Sequence, residues 1–214
     1  MPIKHTTISE EVAFSLLNIS AVRLSPSSPF KWASGWNSPI YCDNRLTLSF
    51  PEVRTLIKNS LINNIKKEFP QVEAIAGVAT AGIPQASLIA NDMGLPLIYV
   101  RPKHKEHGMG NQIEGLVVPK QKVVVIEDLI STGGSSLKAV EALQNTGIEV
   151  LGMVAIFTYG FEIAAENFRK SGVKLITLSD YSTLIQVGLS SNFIQKEDID
   201  SLENWRNNPA EWTK

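Results

Sequence analysis

Residues Val123 to Ser135 read V-V-V-I-E-D-L-I-S-T-G-G-S. Two adjacent carboxylates, Glu127 and Asp128, follow a run of β-branched residues. Leu129 and Ile130 then lead into a turn of hydroxyls and glycines, Ser131, Thr132, Gly133, Gly134 and Ser135. Carboxylates accept hydrogen bonds from adjacent sugar hydroxyls, and a turn rich in free backbone N–H groups at the start of a helix holds an anion such as phosphate. One sugar phosphate satisfies both halves, diol first and phosphate next. Neighbouring residues of a regular strand point to opposite faces, so the two acids are expected at a strand-to-turn transition, where both approach one ligand. The turn holds no lysine, so there is no G-x-x-x-x-G-K-[ST] run, and no G-x-G-x-x-G follows a strand. ATPase and dinucleotide-enzyme readings lose their main support.

Cationic chemistry gathers in R-P-K-H-K-E-H, Arg101 to His107, which carries one arginine, two lysines and two of the chain's three histidines against one glutamate. It lies between apolar runs and has Gly108 and Gly110 beside it. Residues 102–113 are therefore expected as a mobile catalytic loop, a lid over a diphosphate. A second turn, A-T-A-G from Ala79 to Gly82, offers backbone N–H groups near Thr80 and Ala81 to an anion, with Gly77 and Gly82 relieving crowding beside a sheet. The single cysteine, Cys42, reads as a buried small residue, because Asp43 beside it opposes thiolate formation. His5 has no neighbouring ligand pattern, and no protein metal cluster is expected.

The elements that must position these groups follow from periodicity. Thr6 to Asn18 has helical apolar spacing, and Pro51 opens a helix whose apolar stripe runs from Val53 to Phe69. Between them, Arg23 to Thr47 reads as short strands and turns forming a cap rich in proline, tryptophan and turn pairs. Strands are expected at Ala74 to Val78, Leu95 to Val100, Val123 to Ile126, Val150 to Phe157 and Val173 to Leu178. Helices are expected near Ala86 to Asn91, Ser135 to Gln144 and Phe161 to Phe168. This alternation predicts an α/β fold, a mostly parallel central sheet flanked by helices and joined by right-handed crossovers. Glu127 and Asp128 then fall at the carboxyl end of a central strand, where such sheets place their ligands. The polar tail from Gln195 is expected to be anchored by Trp205 and Trp212.

E-D-L-I-S-T-G-G-S resembles the phosphoribosyl-diphosphate signature of the type I phosphoribosyltransferases, and the whole chain resembles the orotate-using members of that family. The resemblance implies one phosphoribosyltransferase domain over residues 1–214, with residues 20–48 contributing a hood over the base. It implies that Glu127 and Asp128 bind the ribose hydroxyls and that Ser131 to Ser135 hold the 5-phosphate. Lys105 and His107 match a loop pair that contacts diphosphate, with Arg101 at its base, and this loop serves the neighbouring subunit of a homodimer. In the hood, S-G-x-x-S-P implies that the backbone of Ser34 and Gly35 approaches the ring edges and that Tyr41 stacks on the pyrimidine. The implied reaction is Mg²⁺-dependent transfer of the 5-phosphoribosyl group to orotate, giving orotidine 5′-monophosphate and diphosphate in pyrimidine synthesis. Magnesium is expected to arrive with the substrate, with no metal site of the protein's own.

Four positions depart from the family pattern. Ala33 and Ala81 stand where relatives often have lysine. Pro102 replaces a further lysine, with Lys103 adjacent, and Tyr159 stands near an orotate-contacting arginine. Lys31, Arg45 or backbone N–H groups are the remaining candidates for the orotate carboxylate. A phosphoribosyltransferase for a purine base shares the phosphate and ribose machinery, so the hood decides between them. A regulatory sensor of phosphoribosyl diphosphate acting on nucleic acid needs a basic surface, which a net charge of -1 with 19% charged residues does not supply. The polar first residues lack a signal-peptide core and no apolar run approaches a membrane span. A cytoplasmic protein without nucleic-acid or membrane partners is the expectation.

Overall fold

A computed structural model describes residues 6–32, 35, 37–102 and 112–212. Helix α1 (Ile8–Asn18) starts in a capping box in which the Thr7 hydroxyl accepts the Glu10 N–H and the Glu10 carboxylate accepts the Thr7 N–H. Four short strands follow: β1 (Val22–Leu24), β2 (Phe30–Lys31), β3 (Asn37–Ser38) and β4 (Ile40–Cys42). They pair antiparallel as β1 with β4 and β2 with β3. A 3-10 turn at Asn44–Ser49 leads to α2 (Pro51–Glu68), with Pro51 in its first turn where no N–H is needed.

The rest alternates as the periodicity predicts: β5 (Ala74–Val78), α3 (Gly82–Met93), β6 (Leu97–Val100), β7 (Ile113–Glu114), β8 (Lys122–Ile130), α4 (Gly134–Gln144), β9 (Glu149–Thr158), α5 (Glu162–Ser171) and β10 (Leu175–Asp180). Among the described residues, six strands form one sheet in the order β10-β9-β8-β5-β6-β7. All pair parallel except β7, which runs antiparallel to β6 at one edge. From β5 the chain moves outward to β6, and from β8 outward the other way to β9 and β10. The strand order thus reverses between β5 and β8, which puts a crevice at their carboxyl ends.

Side chains of β8 divide the core. Val124 and Ile126 pack on the face covered by α1, α2, α3 and a later helix that carries Leu184, whereas Val123 and Val125 pack on the face covered by α4 and α5. That alternation has broken down by Ile130, which joins the cluster of Val123 and Val125 although it is an odd number of residues from each. The break spans Glu127 and Asp128. The strand was expected to stop at Ile126, yet it continues beside β9 through both acids, with Glu127 opposite Ala155 and Leu129 opposite Phe157.

Three elements went unread in the sequence: β7, α6 (Tyr181–Ser190) and α7 (Ile199–Asn207). Helix α6 carries β-branched residues and a glycine, which obscures its period, although Asp180 caps it by accepting the Thr183 N–H at 2.9 Å. Helix α7 delivers Trp205, fully buried against Tyr159, Phe161 and Tyr181, and the Trp205 indole N–H donates to the Asn37 carbonyl at 3.2 Å. The C-terminal helix thereby holds down β3, and Trp212 packs partly buried on the same core.

Candidate active site

A cleft of about 630 Å³ opens at the reversal point between β5 and β8. The turn after β5 lines one wall through Ala79, Thr80 and Ala81, and the start of α4 lines the other through Gly134 and Ser135. Glu127 and Asp128 lie between them, with Arg101 at the mouth. Close packing of the turn after β5 on β8 depends on Gly82: a Cβ there would lie 2.5 Å from the Ile126 carbonyl oxygen. Gly133 ends the second turn at φ +79°, and a Cβ on it would meet the Phe168 ring at 2.7 Å. No side chain caps α4. Its first-turn N–H groups can therefore hydrogen-bond an anion without displacing a cap.

The acids are held differently. Glu127 is buried, and its carboxylate accepts the Asp128 N–H at 3.0 Å and the Ser136 hydroxyl at 2.9 Å. Burial, then the neighbouring Asp128 charge, pushes Glu127 up to about 8, against the Ser136 bond that favours the charged form. Asp128 is raised too, chiefly by burial, while the Asp128 and Leu129 N–H groups and Arg45 pull the other way. The pair therefore holds a proton near neutral pH, which hydroxyl donors from a ligand would make less favourable. Arg101 lies 3.7 Å from the Glu114 carboxylate, and its backbone N–H donates to the Gln112 carbonyl at 2.8 Å, closing β6 and β7 beside the cleft.

A second, smaller cavity of about 350 Å³ adjoins the hood and is lined by Lys31, Trp32, Tyr41, Cys42, Leu129, Ser131 and Tyr159. Leu129 lines both spaces, so they meet across the strand that carries the acids. Tyr159 packs 5.1 Å from Trp32 and 5.5 Å from Phe161, and Tyr41 lies 5.7 Å from Phe30 with the Arg23 guanidinium 5.1 Å from its own ring. Burial raises the Tyr159 phenol and the Cys42 thiol well above their ordinary values, and Asp128 reinforces both shifts. The two groups therefore stay protonated and neutral, leaving Lys31 as the charged lining residue among the described residues.

Several expected site residues meet here and others do not. Thr80, Ala81, Arg101, Glu127, Asp128, Leu129, Gly134 and Ser135 line the cleft, while Lys31, Tyr41, Ser131 and Tyr159 line the hood cavity. Gly82 acts by allowing close packing. Ile130 turns its side chain into the core, and its carbonyl accepts the Tyr159 N–H at 3.1 Å. Thr132 is exposed, with its carbonyl accepting from Asn167 at 3.0 Å, and Gly35 is exposed and lines neither space. Arg45 is tied to Asp43 by two hydrogen bonds, of 2.6 and 2.8 Å, and does not line the hood cavity. Ser34, Lys103, Lys105 and His107 lie outside the described residues, as does Ala33.

The sequence reading missed Lys138, which lines the cleft beside Ala139, and Ser136, the buried partner of Glu127. Helical spacing was the available signal for Lys138, since it falls three positions after Ser135 on α4. Trp32, from the tryptophan-rich cap, packs partly buried on the core and also lines the hood cavity. Among the described residues no group of three or more His, Cys, Asp and Glu could hold a metal ion. The cleft instead offers two carboxylates, one already engaged by Ser136. That donor set fits a Mg²⁺ ion that takes one or two carboxylates and fills its shell with substrate oxygens and water.

Fold and cleft together define a type I phosphoribosyltransferase, and the phosphoribosyl transferase domain family matches residues 46–192, so the chain belongs to that family. Its relatives place it among the orotate phosphoribosyltransferases. It is 61% identical over 206 residues to the orotate phosphoribosyltransferase of Cytophaga hutchinsonii, covering 96% of this chain and 99% of that protein. It is 56% identical to the enzyme of the same name from Listeria monocytogenes, covering 97% of this chain and all of that protein. Among solved structures it is similar to orotate phosphoribosyltransferase from Aeropyrum pernix, with a TM-score of 0.75 at 30% identity over 86% of this chain and 99% of that one.

Proposed function

We propose that the chain transfers the 5-phosphoribosyl group from 5-phosphoribosyl diphosphate to N1 of orotate, forming orotidine 5′-monophosphate and diphosphate in pyrimidine biosynthesis. The observation that carries this reading is the pair of spaces meeting at Leu129: a cleft that sets a carboxylate pair beside an uncapped helix start, and an aromatic cavity with one lysine. Their sizes and linings suit a ribose phosphate on one side and a planar base on the other.

The chemistry follows from the placement. Glu127 and Asp128 accept the ribose hydroxyls, and the α4 N-terminus with Gly134 and Ser135 takes the 5-phosphate. N–H groups around Thr80 and Ala81, with Arg101, face the diphosphate. The bond from the anomeric carbon to diphosphate breaks as the bond to N1 forms, and the sugar gains oxocarbenium-like charge that Asp128 stabilises. The nucleophile is the orotate dianion, whose N1 proton is lost to solvent before attack, so no side chain is assigned as base. Donors fixed in advance around the departing diphosphate favour the transition state over bound substrate. Mg²⁺, when bound, neutralises charge on the diphosphate, and Asp128 with substrate oxygens would hold it. Lys31 is assigned the orotate carboxylate, because it lines the hood cavity and Arg45 does not.

Lys105 and His107 are assigned to the diphosphate of a partner subunit's site in a cytoplasmic homodimer, an assignment supported by the family resemblance of their loop. Mixing His107→Ala and Asp128→Ala proteins then restores activity, and no recovery despite proven subunit exchange argues against shared sites. No helix of the described residues is long and apolar enough to cross a membrane. The decisive experiment follows orotate absorbance after purified protein is mixed with phosphoribosyl diphosphate and Mg²⁺. A folded protein showing no turnover refutes the assignment, and a competing run with uracil, adenine, guanine and hypoxanthine tests the base.

A further inference from the structure

We propose that Asn44 is a positioning residue that sets the distance between the base cavity and the ribose cleft. Asn44 is 2% exposed and belongs to the turn that links the hood to α2. Its side-chain amide donates to the Asp128 carbonyl at 2.7 Å, across 84 residues of sequence. Its amide oxygen accepts from the Cys42 thiol at 3.3 Å, and Cys42 lines the base cavity. One side chain therefore touches a wall of the base cavity and the strand bearing the ribose-binding acids.

The bond falls where a small shift matters most. The Asp128 carbonyl belongs to the peptide joining Asp128, which lines the cleft, to Leu129, which lines both spaces. β5 pairs with β8 only as far as Ile126, so this stretch runs on beside β9, and Asn44 supplies the donor for that carbonyl. Through that carbonyl Asn44 fixes the peptide, and with it the ribose acid and the divider between the cavities. Nucleophile and carbon must be held about 3–3.5 Å apart, and a misplacement of about 1 Å costs roughly a hundredfold in rate. Loss of the Asn44 bond should disturb the relation between two bound substrates more than the binding of either.

This inference rests on the phosphoribosyl transfer reading, and wild-type turnover of orotate tests that reading separately. Its own test is the ratio of variant to wild type. Asn44→Ala and Asn44→Ser are expected to lower kcat about tenfold to a hundredfold, with KM for orotate and for phosphoribosyl diphosphate each within about twofold. Direct titration of orotidine monophosphate, followed by tryptophan fluorescence, should give near-unchanged affinity. Thr47→Val is the stability control. It removes the 2.6 Å bond from the Thr47 hydroxyl to the Asn44 carbonyl in the same turn without touching Asp128, so it should lower Tm while leaving kcat within about twofold. Unchanged kcat in either soluble Asn44 variant overturns the proposal. So does a loss confined to one KM, or an equal kcat loss in Thr47→Val.

Discussion

Replacing Glu127 with glutamine should stabilise the protein at alkaline pH while damaging its site. Glu127 is buried and pushed from its ordinary 4.5 up to about 8. Between those values the folded state keeps a proton that the unfolded chain has released, so stability falls as pH rises, by at most about 1.4 kcal/mol per pH unit. The full displacement sets a ceiling of about 5 kcal/mol on the penalty once Glu127 is ionised. A glutamine side chain has no such penalty, and it keeps an oxygen for the Asp128 N–H and an amide that can donate to the Ser136 hydroxyl in place of the bonds seen now. Urea unfolding at fixed temperature from pH 4 to pH 9 checks this. The advantage of Glu127→Gln should be flat below about 4.5, widen from there to about 8, and level off above. Parallel curves for the two proteins would refute burial as the dominant influence on Glu127. The gain in stability comes with a loss of function, because an amide replaces the carboxyl group that ribose hydroxyls would draw into its charged form, and KM for phosphoribosyl diphosphate should rise about tenfold or more.

Lys31→Gln should raise KM for orotate about tenfold and leave KM for phosphoribosyl diphosphate within about twofold in steady-state assays, since the loss is one charge-assisted contact in the base cavity. Lys138→Ala should show the converse pattern, with weaker phosphoribosyl diphosphate and diphosphate inhibition, by about threefold to tenfold at low salt and less at high salt. Equal effects at low and high salt would remove Lys138 from the anion site. Trp205→Ala should cost about 3–5 kcal/mol in chemical unfolding, because it empties the centre of an aromatic cluster and frees the Asn37 carbonyl.

What could be read in the sequence was local. Val123 to Ser135 announces a buried strand, an acidic end, a turn and a helix, because each part has a short-range pattern. The position of the acids at the strand reversal follows from the alternation of elements. Periodicity failed where propensity and packing disagree: α6 is built from Thr, Ile, Val and Gly and held by tertiary burial, and α7 is fixed by one tryptophan in the core. The strand's continuation past Ile126 was also hidden, since charged residues read as the end of a buried strand. Asn44 gave no signal, for its partner lies 84 residues away and an Asn between Asp and Arg reads as ordinary turn chemistry.

Absence of the lysine and arginine that the family resemblance leads one to expect at Ala81 and near Tyr159 has different consequences for the two spaces. In the cleft, Lys138 approaches from α4, so positive charge reaches the same space from the opposite wall. In the hood cavity, Tyr159 cannot carry a positive charge, and its phenol and the Cys42 thiol are kept neutral by burial. Among the described lining residues, charge for a carboxylated base is thereby confined to Lys31 at the exposed side, while Tyr159 and Cys42 stay neutral. In the proposed pose the carboxylate of the base meets Lys31 and the ring nitrogen faces the strand that carries Asp128. Moving the cation inward, as Ser131→Lys does, should strengthen orotate binding and yet slow transfer, because the carboxylate would then compete for the ring's position.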